Sequence, residues 1–441
     1  MKSLKVIGFL LVLSFILSKK VIFEDEKLIT PEIRLKNIEK FNNWFSKHVK
    51  ENFIKLKVIN EETYELGVVA EKNFNKDDLL YTFETNMTIS SESIYTGKYA
   101  ELVKSLEAKY GHDELTYLVI IMIDEYYNPN SYWREYIDVL PKIPNSPIYN
   151  YWDRSSTLEP ELMGTTILRK IVDYKIAIEK RSRALVRGLF SKHPELFDAE
   201  IFNEDNVEWA LHLIDSRIQN IGHRSIFAPL LDFFRFSASN NELIKQTENQ
   251  NVSIKVNFDI KKGEEIMYNP KLSSDHLLMY YGIVLENNED NDCYSISLTF
   301  SERKDDSLAS KRSAFFSKYF LYDSNHFDLI EECISLKKPF DRRILFYYYT
   351  LMMDEVDLQK EDPKRKDLHE DKIIINFTKD NLLAYEKLSK PLTEDIEKLK
   401  QEKNPIIKNF IKYKIIQRDL LKKLIGKYEE QYNFLQKDES L

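Results

Sequence analysis

The sequence predicts an α+β fold, because strand-like segments occupy its first two thirds and long helical segments occupy its end. Residues 54–59 alternate apolar and polar side chains, as a half-buried strand does, and residues 252–259 form another strand-like segment. Residues 382–399 and 406–435 are predicted to form two long helices. A chain of 441 residues is long enough for two or three domains.

The composition excludes several classes of site. A net charge of −8, with 31% charged residues, argues against a nucleic-acid-binding protein, whose partner favours a basic surface. Only 10 residues are glycine, so no glycine-rich phosphate-binding loop is expected. No cluster of cysteine and histidine has zinc-ligand spacing, so no metal site is predicted. The two cysteines, Cys293 and Cys333, are either buried thiols or, in an oxidising compartment, one disulfide.

The first 20 residues have the pattern of a targeting segment. Lys2 and Lys5 precede an apolar run over residues 6–17, which is shorter than the ~20 residues that span a bilayer. This pattern predicts a signal peptide or signal anchor over residues 1–20, and hence a protein of the secretory pathway, in the lumen or membrane of the endoplasmic reticulum. A mitochondrial membrane segment is the alternative, and membrane association through this segment stays open.

Helix and strand patterns then follow one another up to residue 300. Residues 31–52 place apolar side chains mostly on one helical face. Residues 64–70 and 79–83 are predicted to be two strands. Residues 115–126 are predicted to form an apolar helix, and further helices are predicted over 167–195.

The last third of the chain is predicted to be mainly helical. Residues 294–300 alternate like a strand, and the pattern becomes helical from Phe315 onward. The charged residues 359–372 are predicted to form a solvated loop between helices.

Several motifs occur in a fixed order. They are Ser131-Tyr132-Trp133 with Leu140-Pro141, Pro229-Leu230-Leu231-Asp232, Gly263-Glu264-Glu265-Ile266, and Tyr281-Gly282. This order resembles the SET-domain protein methyltransferases, in particular the group of plant Rubisco large-subunit methyltransferase and the actin-histidine methyltransferase. The resemblance covers residue 33 onward. It implies a SET domain of small twisted β-sheets over residues 21–300, with a helical insert at about 95–208, and an all-α substrate-binding-type domain over residues 301–441.

The resemblance also implies a cofactor and a set of site residues. Members of this family transfer a methyl group from S-adenosylmethionine to a protein side chain. By motif position, Tyr268 resembles the catalytic tyrosine, and Glu65-Leu66-Gly67 corresponds to the hairpin turn that lies against the cofactor. Three further residues fall at positions expected to contact substrate: Arg217, Asp232 and Tyr281.

The cofactor positions depart from the family pattern. The family's Asn-His pair corresponds to Arg235-Phe236, its first hairpin glycine to Glu65, and the glycine after the tyrosine to Asn269. Arginine is larger than asparagine, always charged and without an acceptor, so it is expected to repel a cationic cofactor. The two substitutions suggest that Arg235 pairs with Glu65 inside a closed pocket.

Two functions follow from these residues. The first is a degenerate, non-catalytic SET protein without cofactor, which binds a protein partner through its C-terminal helical domain. The alternative is an active methyltransferase that uses S-adenosylmethionine, with lysine or histidine of a protein substrate as acceptor. The sequence leaves open whether the chain is an enzyme.

Overall fold

The chain contains many helices and several small β-sheets, which confirms the predicted α+β class. The computed structural model describes residues 20–49, 52–61, 64–143, 146–147, 162, 165–222, 224–248, 250–300, 306–319, 329–360, 367–387 and 392–438. The chain divides into two compact units: residues 1–152 with 172–270, and residues 153–171 with 271–441. The predicted domain boundary at residue 300 stays a prediction.

Within the described residues, the first unit contains ten short strands and the α-helices given below, of which one extends into the second unit. The strands are β1 Ile54–Asn60, β2 Glu65–Ala70, β3 Leu79–Glu84, β4 Ile89–Ser90, β5 Gln219–Ile221, β6 Arg224–Phe227, β7 Arg235–Phe236, β8 Leu243–Glu248, β9 Asn251–Val256 and β10 Met267–Tyr268. The helices are α1 Ile22–Asp25, α2 Pro31–His48, α3 Ala100–Tyr110, α4 Glu114–Tyr127, α5 Arg134–Val139, α6 Thr166–Gly188, which extends across the division at residue 171, and α7 Glu204–Arg217.

The strands pair in small sheets rather than in one large one. Strands β1 and β2 form an antiparallel hairpin, and β7 pairs in parallel with β10. Two three-stranded sheets have the orders β3-β9-β8 and β4-β6-β5. These small sheets pair short segments that are far apart in the sequence, such as β3 with β9 and β7 with β10.

Helices cover the hydrophobic core of this unit. Helix α2 begins at Pro31, where the fixed proline φ suits the first turn, and the Thr30 side chain caps it by accepting from the backbone N–H of Ile33 at 3.3 Å. Its buried face consists of Ile38, Phe41, Trp44 and Phe45, as the helical spacing predicts. Ile33 and Leu35, which were expected on the same face, are 42% and 54% exposed. Helix α4 is buried on nearly all sides, which explains its unbroken apolar sequence.

The second unit is mainly helical. Its elements are α8 Ser274–His276, a π-helical turn Leu277–Tyr281, β11 Tyr294–Thr299, α9 Ala309–Tyr319, β12 Leu329–Ile334, α10 Arg342–Met352, α11 Asp357–Lys360, α12 Lys372–Lys387, α13 Leu392–Gln401 and α14 Pro405–Asp438. Strands β11 and β12 pair antiparallel, so one strand lies within the part predicted to be all helical. A disulfide joins Cys293 to Cys333 beside this pair, and the two are not buried thiols.

One helix prediction in this unit is wrong. A single helix over residues 382–399 was expected, but α12 begins ten residues earlier, at Lys372, and ends at Lys387. A separate helix, α13, begins at Leu392. The sequence has Pro391 directly before α13, and proline is unfavourable inside a helix because it lacks a backbone N–H and clashes with the preceding turn.

Candidate functional site

Three separate stretches of the first unit meet around the predicted cofactor positions: β2, β7, and residues 263–268, which include β10. The parallel pairing of β7 with β10 sets Arg235 opposite Met267 and Phe236 opposite Tyr268. The Gly263–Ile266 stretch runs beside β2, where the backbone N–H of Ile266 donates to Val68 at 2.8 Å and that of Ala70 donates to Glu264 at 3.0 Å. The hairpin, the β7 motif and the tyrosine are therefore brought together by backbone pairing.

The Arg235 guanidinium lies between two carboxylates. Its Nε is 3.3 Å from Oε1 of Glu65, and its Nη1 is 3.4 Å from Oε2 of Glu265. The pairing of Arg235 with Glu65 that the sequence suggested is therefore present. The closed pocket is not, since these two side chains are 35% and 46% exposed. We call Arg235, Glu65 and Glu265 the cleft cluster.

Glu265 is a member of this cluster that the sequence reasoning missed. Its side chain is only 16% exposed, and its Oε1 has no hydrogen-bond partner among the described residues. Burial raises the pKa of the Glu265 carboxyl, although the nearby Arg235 acts in the opposite direction. The alternation along Gly263–Ile266 could have indicated that one glutamate of the pair points inward.

Gly67 lies close to the Glu265 carboxylate, where a side chain would not fit. A Cβ added to Gly67 would lie 2.5 Å from Oε1 of Glu265 and 2.6 Å from Cγ1 of Ile59. Both distances are shorter than real side-chain contacts, so a glycine is needed for the close approach of β2 to its neighbours. Leu66, the residue before it, packs against the hydrophobic core.

Tyr268 and Phe236 form an aromatic pair at the ends of β10 and β7. Their ring centroids are 5.4 Å apart and the planes meet at 80°, an edge-to-face arrangement. The backbone carbonyl of Tyr268 accepts from the N–H of Ser237 at 2.8 Å, which extends the strand pairing by one residue. Both rings are half-buried. Phe236, which the motif order places at the family's histidine, thus contacts the predicted catalytic tyrosine.

Arg217 and Asp232 form a second, buried cluster with Tyr136. Nη1 of Arg217 lies 3.1 Å from Oδ2 of Asp232, and the Tyr136 hydroxyl donates to the same oxygen at 2.8 Å. The Asp232 side chain is fully buried, and the Arg217 guanidinium also stacks over the Phe233 ring at 4.7 Å from its centroid. Burial raises the pKa of the Asp232 carboxyl, with Arg217 opposing it. We call Arg217, Asp232 and Tyr136 the core cluster.

Tyr281, the remaining predicted substrate residue, belongs to the second unit. It is the last residue of the π-helical turn, which Gly282 ends in the left-handed region at φ 70°. Its ring centroid lies 6.2 Å from that of His276. The roles of Tyr281, Arg217 and Asp232 in substrate binding, and those of the cleft residues in cofactor binding, stay predictions.

A family comparison identifies the domain. The SET domain family matches residues 65–269, a range that contains every residue of both clusters. The chain is 24% identical over 254 residues to the chloroplastic [fructose-bisphosphate aldolase]-lysine N-methyltransferase of Arabidopsis thaliana, covering 54% of this chain and 49% of that protein. It is 23% identical over 277 residues to the chloroplastic Rubisco large-subunit N-methyltransferase of Pisum sativum, covering 58% and 54%. The chain thus spans about half the length of the curated relatives it matches.

Solved structures extend the likeness of the fold to nearly the whole chain. A structure of Rubisco LSMT bound to AdoMet superimposes with a TM-score of 0.72 at 18% identity, covering 92% of this chain and 93% of that chain. A structure of the LSMT SET domain bound to lysine and AdoHcy gives a TM-score of 0.70 at 16% identity, covering 91% and 92%. At these identities the likeness concerns the fold.

The predicted destination is wrong. Both relatives carry the chloroplast in their names, which contradicts the expectation of a secretory or endoplasmic-reticulum protein and its mitochondrial-membrane alternative. The apolar run that suggested it lies in residues 1–19, outside the described part of the chain. Within the described part, no helix is both long and apolar enough to cross a membrane. A short apolar run is a weak signal, because its pattern does not by itself determine a destination.

The motifs, the family match and the fold therefore agree. The chain carries a SET domain over residues 65–269, its sequence relatives are named as N-methyltransferases of aldolase and of the Rubisco large subunit, and its structural neighbours are structures of Rubisco LSMT.

Proposed function

We propose that this chain is a degenerate SET protein that does not use S-adenosylmethionine at the family's site and acts by binding a protein partner. The observation that carries the proposal is the cleft cluster. By motif order, Arg235 corresponds to the family's asparagine. Its guanidinium bridges carboxylates from two neighbouring backbone segments, Glu65 on β2 and Glu265 beside it.

The residues present do not fit this cofactor. S-adenosylmethionine carries positive charge at its sulfonium and its ammonium and negative charge at its carboxylate. The Arg235 guanidinium adds a positive charge at the predicted cofactor position, which Glu65 and Glu265 offset in part. Two like charges about 4 Å apart repel by about 1 kcal/mol in water and by about 4 kcal/mol near a protein surface. For an unpaired arginine this corresponds to a loss of affinity of roughly fivefold to roughly a thousandfold, and the two flanking carboxylates make the loss smaller. Glu65, which could otherwise pair with the ammonium, is already engaged by Arg235.

The strength of the ion pair itself is not the obstacle. Exposed pairs of this kind contribute only about 0.2–1 kcal/mol, so a ligand could displace Glu65 at little cost. What remains after displacement is the charge and the volume of the arginine. A neutral residue at position 235 should therefore restore affinity, whereas a lysine there should not.

The test is calorimetric titration of the full chain with S-adenosylmethionine and with S-adenosylhomocysteine. We would compare the unchanged protein with Arg235→Asn/Phe236→His, Arg235→Asn and Arg235→Lys. We expect no binding by the unchanged protein or by Arg235→Lys, and binding by the double variant. S-adenosylhomocysteine lacks the sulfonium charge, so Arg235→Asn should improve its binding less than that of S-adenosylmethionine. Micromolar binding of S-adenosylmethionine by the unchanged protein would refute the proposal.

A methyltransferase is the second candidate, and the observation that favours it is Tyr268. This tyrosine is retained at the end of β10, beside the residues that line the predicted cleft. If the chain is active, it would transfer a methyl group to a protein side chain, as the relatives' names state for Rubisco and aldolase. Transfer of labelled methyl groups to a protein by the unchanged chain, lost in Tyr268→Phe, would establish this alternative.

The proposed partner is a protein bound through the C-terminal helical part of the chain. This follows the family resemblance of residues 301–441, together with the protein substrates named for both relatives. The same surface would recognise a substrate if the chain is active, so the partner can be sought before the question of catalysis is decided.

A further inference from the structure

The second unit has an open groove between the first turns of α12 and the last turns of α14. Its volume is about 1270 Å³, above the roughly 300–1,000 Å³ that a small-molecule pocket usually has. Met352, at the end of α10, also lines it. A groove of this size and openness suits a segment of protein chain.

Three large apolar side chains are exposed at this groove. Ile373 is 66% exposed, Phe434 is 58% exposed and Met352 is 40% exposed. They come from three different helices, so this apolar surface is not simply the exposed face of one amphipathic helix. Behind them, Phe377 and Leu435 line the groove and pack against the hydrophobic core. Apolar surface of this kind, rimmed by charges, is typical of an interaction site.

The accessible charge around these side chains is mainly negative. Glu370 and Asp380 line the groove and are exposed, and Asp367 is exposed beside Glu370. Lys372 also lines the groove, and Lys379 lies close to Tyr432 in its lining: Nζ of Lys372 is 5.9 Å and Nζ of Lys379 is 4.9 Å from the centroid of the Tyr432 ring. Both lysines are half-buried, so they present less charge to a partner than the carboxylates do.

We propose that this groove docks a segment of a partner protein that presents apolar side chains next to lysine or arginine. Ile373, Phe434 and Met352 would contact the apolar side chains, while Glu370 and Asp380 would attract the basic ones. The proposal rests on the proposed protein-binding function and specifies the chemistry of the partner. It applies equally to a binding partner and to a substrate protein.

The test uses the full chain and three synthetic helical peptides. The first carries a leucine stripe flanked by lysines, the second has glutamate in place of each lysine, and the third has serine in place of each leucine. Fluorescence anisotropy with labelled peptides, in the presence of EDTA, measures their affinities. We expect the leucine–lysine peptide to bind at least tenfold more tightly than the other two, with an affinity that falls as salt is added.

Variants assign the binding to the groove. Ile373→Ser/Phe434→Ser and Glu370→Lys/Asp380→Lys should each weaken the leucine–lysine peptide at least tenfold. Matched controls lie on α13, outside the groove: Ile396→Ser for the apolar change and Glu394→Lys/Glu397→Lys for the charge change. These controls should bind as the unchanged protein does, and circular dichroism verifies that all variants are folded.

Three results of the peptide titrations would overturn the proposal: the leucine–lysine peptide does not bind, all three peptides bind equally, or the α13 controls weaken binding as much as the groove variants do. A fourth would be self-association of the chain that the groove variants abolish, because the groove would then bind a second copy of the chain. Binding of S-adenosylmethionine by the same samples is measured separately. If the chain binds S-adenosylmethionine and also discriminates between the peptides, the proposal of a degenerate SET protein is refuted, while the proposal that the groove binds a partner segment still holds.

Discussion

The core cluster and the cleft cluster have the same chemistry and different surroundings. Each joins an arginine to a carboxylate within the SET region: Arg217 to Asp232 in one, and Arg235 to Glu65 and Glu265 in the other. The Asp232 side chain has no exposed surface, whereas Arg235 and Glu65 are 35% and 46% exposed. Burial therefore decides what each arginine does, and we expect the first cluster to stabilise the fold and the second to control what can bind.

The largest expected effect is the loss of one partner from the core cluster. Asp232→Ala leaves the Arg217 guanidinium without its carboxylate in a buried site, which typically costs about 3–5 kcal/mol. We expect a decrease of this size in the free energy of unfolding, measured by urea denaturation. The double variant Asp232→Leu/Arg217→Met removes both charges and should be less destabilised than Asp232→Ala. If Asp232→Ala costs less than about 1 kcal/mol, the buried cluster is no more important to the fold than an exposed one.

A smaller effect is expected from crowding the approach of β2 to the cleft cluster. Gly67→Ala places a Cβ 2.5 Å from Glu265 and 2.6 Å from Ile59, so both side chains must move. Overpacking of this kind costs about 1–3 kcal/mol. Urea denaturation measures the change, and Gly188→Ala, where an added Cβ meets no atom within 4 Å, is the matched control. Equal behaviour of the two variants would show that the glycine is not needed for the close approach.

The sequence predicted the elements well where one local pattern determines them. The alternation of β1 and most of the apolar face of α2 were predicted correctly, because side-chain period alone separates a strand from a helix. The break between α12 and α13 was missed, since the apolar spacing continues on both sides of it. Strand β12 was missed as well, because its pairing with β11 is long-range.

Only those site residues that a motif identifies could be predicted from the sequence. The resemblance pointed to Arg235 and Glu65, and their opposite charges suggested that they pair, as the structure has it. The third member, Glu265, depends on which of two adjacent glutamates points inward, and that is set by pairing with β2. Tyr136 joins Asp232 from 96 residues away, a contact that no local pattern encodes.

The two clusters can also be compared through the pH dependence of the free energy of unfolding. Burial raises the pKa of Asp232 above its ordinary value near 3.8, so the folded protein keeps this proton to a higher pH than the unfolded chain does. The resulting stabilisation is fully present below pH 3.8 and is lost as the pH rises through the raised pKa. The stability of the unchanged protein relative to Asp232→Asn should therefore decrease as the pH rises above about 4 in urea denaturation.

The control for this prediction is Glu265→Gln in the cleft cluster. Burial also raises the pKa of Glu265, so the same sign is expected, with a smaller size because that side chain is less buried. An advantage of the unchanged protein over Asp232→Asn that grows with pH would mean that Arg217 outweighs burial and lowers the pKa of Asp232.

The smallest expected effect on stability is that of Arg235→Gln, which removes the charge and keeps most of the length of the side chain. Because Arg235 and Glu65 are both partly exposed, their pair is expected to contribute less than about 1 kcal/mol to the free energy of unfolding. Urea denaturation of Arg235→Gln beside Arg235→Lys measures this contribution, and added salt should reduce it further. A loss above about 2 kcal/mol would instead make the cleft cluster part of the folded framework, like the core cluster, because exposed pairs do not reach that size. A loss below it, together with restored affinity for S-adenosylmethionine, would separate the two roles: the arginine excludes the cofactor while the fold hardly depends on it.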